Sequence, residues 1–414
     1  MRPALNPRDR PRKEISPLPD LAIFTGRPAF PDQLHVGRPN IGDRAALLRR
    51  ISGLLDNRWL TNDGPYVLEF ERRVADFAAV KHCIATCNAT VALEILVRAL
   101  DLSGEVIVPS FTFVASAHAL QWHQVTPVFC DIDPRTHNID PGKVEHLITP
   151  RTTAILGVHL WGRPCPIDEL QAIADRNGLT LLFDAAHAFG CKYKGQMIGG
   201  FGQAEVFSFH ATKFINAGEG GAVVTDSDAL ANRLRLMRNF GFSGYDQVTS
   251  IGTNGKMGEL SAAMGLTNFE SLHEFIEVNR RNLELYNENL ANVPGLSLLG
   301  YEEDQQPNYQ YMVIEVDAAK AGIRRDELMS VLHAENVLAR RYFYPGVHRM
   351  EPYCSLVPMA GSLLPHTQAV ADRVLALPTG SAVIPQDISR ICAIIRSALE
   401  HSGEIRETLV NRRT

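Results

Sequence analysis

An α/β protein with a mostly parallel central sheet, helices on both faces and a smaller C-terminal α+β domain is the class this chain predicts. Three observations carry it. Apolar runs of strand length recur at 105–109 (EVIVP), 127–132 (PVFCDI), 153–158 (TAILGV) and 179–183 (LTLLF). Stretches with apolar residues at helical spacing alternate with them. Residues able to do chemistry gather where the runs stop, and in a parallel sheet that edge binds ligands.

In chain order, the start MRPALNPRDRPRKEISPLPD is rich in Arg and Pro and has no apolar core of a secretory signal. Residues 1–35 read as a flexible arm, 36–275 as a large domain and 276–414 as a small one. Residues 41–55 predict a short amphipathic helix, and the polar loop from Asn57 to Pro65 ends it. Val67, Phe70, Val74 and Phe77 then repeat at helical spacing. Asn88 is a good N-cap for an apolar helix reaching Leu100. The N–H groups that follow it, in Ala89-Thr90, are either simply capped or an anion site. Phe113 lies just past the 105–109 strand, either covering a flat ligand or filling the core. His159 and Trp161 follow the 153–158 strand, at the border of a pocket or inside the core. Residues 167–177 predict a helix.

The stretch 179–226 is the densest in signals. A buried run ends on Asp184. A second short strand, 206–209, carries Ser208 and leads into His210, Thr212 and Lys213. The turn Gly218-Glu-Gly-Gly221 precedes a third strand, 222–225. Beyond it the pattern predicts a helix at 228–239, a polar loop at 241–256, and one long helix at 257–293 with the domain boundary near its middle. A strand at 311–316 and helices at 324–336, 369–375 and 389–400 complete the small domain.

Composition narrows the function. The chain has 414 residues, 45% hydrophobic and 21% charged, with a formal net charge of -5. That balance argues against nucleic-acid or membrane-surface binding. No apolar run approaches the roughly 18 residues of a membrane helix. Seven scattered cysteines without a Cys-x-x-Cys pair read as free thiols in a reducing cytoplasm, not as a disulfide framework or a metal site.

Asp184 and Lys213 matter as a pair. Alone, the first is an ordinary strand-end cap and the second a solvated charge. A lysine buried at a strand end has its ammonium disfavoured, and a neutral amine forms a Schiff base with an aldehyde. A buried carboxylate needs a cationic partner, which a pyridinium N–H supplies. Pyridoxal phosphate calls for both, and its phosphate for a helix start such as 88–90 and a hydroxyl such as Ser208.

The segments NATVALE, VPSFTFVAS, FDAAHAFG, FSFHATKFINAGEGGAVVTD and GTNGKMGELSAAMGL, spread from residue 88 to 266, resemble those of the DegT/StrS-type sugar aminotransferases. The resemblance extends from about Ile51 to the C-terminus. It implies fold type I of the pyridoxal phosphate enzymes, with Lys213 as the Schiff-base lysine and proton shuttle. It implies Asp184 at the pyridine nitrogen, Phe113 stacked on the ring, and Ala89, Thr90 and Ser208 at the phosphate. It also implies that Asn254 reaches the phosphate of the neighbouring subunit, so a homodimer with shared sites. His187 stands where many members have Gln, beside the ring oxygen, and there its tautomer matters. His210 stands where many have Tyr. FHATKF resembles the branch that aminates position 4 of a keto-sugar nucleotide, with L-glutamate as donor; a branch that deoxygenates sugars has His in place of Lys213. Arg340, Arg341, Tyr344 and His348 form a basic, aromatic cluster that reads either as a strand edge or as a contact for the sugar nucleotide.

Overall fold

The computed structural model describes residues 20–302 and 305–411. Its central sheet has seven strands: β1 (His82–Thr86), β2 (Glu105–Pro109), β3 (Thr126–Cys130), β4 (Thr152–Val158), β5 (Thr180–Asp184), β6 (Ala204–Ser208) and β7 (Gly221–Thr225). They lie in the order β1-β7-β6-β5-β4-β2-β3, and only β7 runs against the rest. A reversed strand beside its predecessor needs only a short connection, whereas parallel neighbours need a crossover. That is why residues 209–220 form a tight polar loop between β6 and β7 instead of a helix. β1 carries no signal beyond five residues and escapes the reading of the sequence.

Side chains alternate across this sheet. Leu181, Phe183 and Phe207 face a core layer that contains Val67, Phe70 and Phe209. Leu182 and Val206 face the other layer, with Leu93, Leu96, Leu120 and Leu234. Both faces are apolar because helices cover both, as a parallel sheet requires. The covering helices include α1 (Arg44–Asn57), α2 (Pro65–Ala78), α3 (Ala89–Ala99), α4 (Ala115–Trp122), α5 (Ile167–Asn177), α6 (Asp228–Arg238) and α7 (Glu259–Glu270). Glu259, inside the GKMGEL segment, is fully buried, and its carboxylate accepts the N–H groups of Tyr66 and Val67. It thereby satisfies orphan donors at the start of α2, so that motif serves the scaffold.

The predicted helix 257–293 is two helices, α7 and α8 (Leu272–Leu290), separated at Ser271. α8 links two cores: Phe275 packs in the large one, Tyr286 and Leu290 in the small one. The small sheet is β8 (Leu296–Leu298), β9 (Met312–Val316) and β10 (Val374–Leu377), all antiparallel, covered by α9 (Arg325–Ala334), α10 (Pro365–Ala371) and α11 (Pro385–Glu400). The helix expected at 369–375 is therefore corrected. It stops at Ala371, and Val374 to Leu377 pair with β9, because a four-residue apolar run does not reveal its own period.

The expected flexible arm is corrected as well. Residues 1–19 lie outside the described residues. Leu21, Ile23, Phe30 and Leu34 are buried in the small-domain core. Leu34 and His35 pair in parallel with Val337 and Leu338, and Glu335 accepts the N–H groups of Ala22 and Ala29. Few apolar residues at no fixed period hid this segment. Phe30→Ala should therefore destabilise the small domain by about 3 kcal/mol, the usual cost of removing a buried phenyl group. Urea denaturation of the variant checks this, and a ring in a flexible arm would leave the midpoint unmoved.

Candidate active site

β1, β2, β4, β5 and β6 end at one edge of the sheet, and β7 starts there. Asp184, the last residue of β5, is buried. Its Oδ2 accepts the Ser116 hydroxyl at 2.7 Å, and its Oδ1 accepts the Ala186 N–H at 3.1 Å. Burial raises this carboxyl above the usual range, while the two hydrogen bonds and the Lys213 charge pull it back. Ser116, the second residue of α4, was not singled out from the sequence.

Lys213 follows β6 on the short loop. Burial pushes its amine down to about 8, against the opposing pull of Asp184. Its Nζ donates to the Tyr311 hydroxyl at 3.2 Å. The loop is pinned from several sides. Asn40 donates to the Phe214 carbonyl, Asn216 to the Asn40 carbonyl and Asn268 to the Asn216 carbonyl. His210 shapes the near side: its Nδ1 accepts the Thr212 N–H at 3.2 Å. All three asparagines are buried, and buried amides hold a loop only when satisfied in this way.

At the start of α3 the Asn88 side chain accepts the Val91 N–H, which leaves the N–H groups of Ala89 and Thr90 without an intrahelical acceptor. Gly221 pairs with both Thr86 and Ser208. A Cβ at Gly221 would sit 2.4 Å from the Ala89 nitrogen, so only glycine lets β7 begin against the helix start. Ala89, Thr90 and Ser208 thus meet in one cradle with N–H and hydroxyl donors. Phe113 stands at the end of β2 with its ring 57% exposed, 6.4 Å from the ring of Phe343. Phe343 in turn stacks on His187, which ties the exposed Phe113 ring to the residues that follow Asp184.

His187 is buried and stacked parallel to Phe343 at 5.8 Å. Burial, aided by the Lys213 charge, holds it far below the usual imidazole range, so it is neutral. Its Nδ1 accepts the Trp161 N–H at 3.1 Å. The proton therefore resides on Nε2, and the ring presents a donor there.

Other expected contacts fall elsewhere. His159 and Trp161 do not border the site, and the core reading holds for both side chains. His159 is fully buried, stacked on Phe183 at 4.7 Å, with Nε2 3.2 Å from Glu205. Trp161 packs edge-on against Phe111 and His137, and contributes only its backbone N–H. Arg340 is exposed over the Tyr342 ring. Arg341 and Tyr344 turn to a charged groove beside α9, where Arg341 lies 4.4 Å over the Tyr344 ring and 3.3 Å from Asp326. His348 is buried, its Nδ1 2.7 Å from the Ser110 hydroxyl, and burial lowers it to about 4. His348 braces the end of β2, and the residues between Arg341 and Tyr344, Tyr342 and Phe343, are the ones that approach His187 and Tyr311. Asn254 is exposed and makes no hydrogen bond to Lys213, Asp184 or Ser208 within the chain.

A near-neutral lysine amine, a buried carboxylate held by donors, an exposed phenyl ring and a donor-lined helix start, all on one sheet edge, fit pyridoxal phosphate. The fold and this edge define a fold type I pyridoxal phosphate enzyme. Residues 43–396 match the model of the DegT/DnrJ/EryC1/StrS aminotransferase family, and the chain belongs to that family. It is 36% identical over 349 residues to a dTDP-4-amino-4,6-dideoxy-D-glucose transaminase of Escherichia coli, covering 83% of this chain and 93% of that one. It is 35% identical over 355 residues to a GDP-perosamine synthase of Caulobacter vibrioides, with 83% and 93% covered. Among solved structures, DesI in the presence of its TDP-sugar product superposes with a TM-score of 0.89 at 50% identity, covering 95% of this chain and 99% of that one. PseC of Helicobacter pylori superposes at 0.84 with 26% identity, covering 89% and 100%.

The lowered amine sets a pH dependence. Capture of added pyridoxal phosphate by the cofactor-free chain should rise about tenfold per pH unit and level off near pH 8, not near the 10.5 of a free lysine. Stopped-flow absorbance checks this, and Lys213→Ala should give no coloured adduct. Gly221→Ala should weaken cofactor retention at least tenfold while leaving Lys213 in place, read by dialysis against buffer.

Proposed function

We propose that this enzyme is a sugar-nucleotide 4-aminotransferase. It takes the amino group of L-glutamate and places it on the 4-keto carbon of a TDP-linked 4-keto-6-deoxyhexose. The product is a 4-amino-4,6-dideoxy sugar nucleotide for a natural product or a surface glycan. The observation that carries this is the Asp184–Lys213 site in a chain half identical to DesI, whose structure was determined with its TDP-sugar product.

The geometry above supports the following residue roles. Pyridoxal phosphate, when bound, supplies an aldehyde that accepts the amino group and a ring that withdraws electrons from the substrate carbon. Ala89 and Thr90 N–H groups and the Ser208 hydroxyl hold its phosphate, and Phe113 covers one face of its ring. Asp184 would face the ring nitrogen, where its carboxylate would favour the protonated ring. His187 donates its Nε2–H to the ring oxygen. Lys213 would hold the cofactor's aldehyde, and its free amine would carry the proton that the reaction moves. Burial lowers this amine towards neutral pH, which suits it to take up and return a proton.

A second copy of this chain completes the site, with Asn254 of each subunit meeting the phosphate held by the other. Supporting this, Leu55, Leu60, Leu68 and Leu260 are exposed on the neighbouring helices α1, α2 and α7 and the loop between α1 and α2. Apolar patches of that kind mark interfaces. The seven cysteines are all free, which suits work in the cytoplasm.

The test is a panel of TDP- and GDP-linked 4-keto and 3-keto sugars with L-glutamate, read by product mass and NMR. The expected result is amination of the TDP-4-keto sugar, with hydrogen and an amino group at C4. Amination at C3, preference for GDP, or simple loss of water would each overturn the corresponding part of the proposal. Asn254→Ala should weaken cofactor binding at least tenfold, with no loss of dimer by light scattering.

A further inference from the structure

The small domain sends one short segment, residues 308–311, across to the large-domain loops of the site. Asn308 donates its side-chain amide to the carbonyls of His187 (2.9 Å) and Phe189 (3.0 Å), and its own carbonyl accepts from Asn279. Gln310 donates to the Thr212 carbonyl at 3.1 Å. Tyr311 ends the segment with its hydroxyl 3.2 Å from the Lys213 amine and its ring 4.5 Å from that of His187. Asn308 is buried, so the strap is tied down before Tyr311 is placed.

We propose that Tyr311 is a positioning residue for the reaction, whose phenol oxygen holds the Lys213 amine whenever that amine is not bonded to the cofactor. The proposal rests on Lys213 being the cofactor lysine and not on the identity of the sugar. A free lysine side chain has four rotatable carbons and would swing away from the reacting carbon without an acceptor to meet it. The titratable groups facing the amine are Asp184 at the end of β5 and His187 just after it, while Tyr342 stands behind Tyr311. His187 is neutral and its proton is on the other side of the ring from Trp161. Asp184 is engaged by Ser116 and Ala186. Tyr311 is therefore the neutral hydrogen-bond acceptor aligned on the amine. Burial keeps the phenol itself protonated. Its oxygen accepts from the ammonium, and that favours the charged form of Lys213.

The sign follows. Tyr311→Phe removes an acceptor from the ammonium, so the amine titrates lower. The shift expected is about one pH unit down from about 8, or about a fivefold larger neutral fraction at pH 7. Competitive acetylation of Lys213 in the full, cofactor-free chain, followed by mass spectrometry across pH, reads the midpoint without any substrate. In the reconstituted enzyme kcat should fall about tenfold while KM for both substrates stays within about twofold, because holding the amine contributes to proton transfer and not to substrate affinity. Gln310→Ala removes one strap hydrogen bond while Asn308 still ties the segment down and the phenol stays, so it separates the phenol's contact from general support. Its midpoint should match that of the natural chain. An unmoved midpoint or an unmoved kcat in Tyr311→Phe overturns the proposal, as does an equal shift in Gln310→Ala. Failure of the sugar panel would leave the acetylation midpoints as they are, so the two proposals fail separately.

Discussion

Burying the carboxylate of Asp184 at the end of a parallel strand is the constraint on which the rest of this structure depends. An ion taken out of water costs several kcal/mol unless partners replace its hydration. Here the partners come from different places: a hydroxyl from α4, a backbone N–H from the turn after β5, and the Lys213 charge from the loop after β6. Each element must sit where its donor reaches, so one carboxylate sets the mutual placement of three segments. The same burial lowers the lysine amine, because the environment that penalises one charge penalises the other. The conflict is useful. In the proposed arrangement a cationic ring nitrogen would relieve the carboxylate and covalent capture would relieve the amine, so one cofactor would remove both penalties at once.

The reversed strand β7 is the second device. Its direction permits the tight Lys213 loop, and its first residue, Gly221, touches both Ser208 and the start of α3. A helix crossover at this point would have carried the lysine away from the sheet edge. Buried asparagines then fix the loop. Asn40, Asn216 and Asn268 bond backbone carbonyls and not one another's side chains, which holds irregular chain without a regular ladder. Asn40 also accepts from the Ser381 backbone and hydroxyl, so the same network reaches the small domain.

The small domain is thus part of the site and not an appendage. Asn308, Gln310 and Tyr311 clamp the loops of Lys213 and His187, and Phe343 stacks on His187. The segment around residues 340–348 illustrates the limit of reading residue types alone. Its arginines look like anion ligands. In the fold, Arg341 turns outward to Asp326 and His348 inward to Ser110, while two aromatic residues between them face the site. An irregular segment has no period from which to infer which side chain faces inward.

By itself the sequence determined the class of fold, the strand end at Asp184, a short strand carrying Ser208, the helix start at Asn88, and the lysine between β6 and β7. Those features are local: an apolar run of strand length, a capping residue and a glycine turn each announce themselves within a few positions. Tertiary structure decided the rest. It placed Tyr311 beside an amine 98 positions away, put the proton of His187 on Nε2 through the Trp161 backbone, and drew residues 20–35 into the small-domain core. It also took His159 and Trp161 out of the pocket and into the core. Each of these depends on which distant groups meet when the two apolar layers close, and a contact between distant segments leaves no pattern in either segment alone.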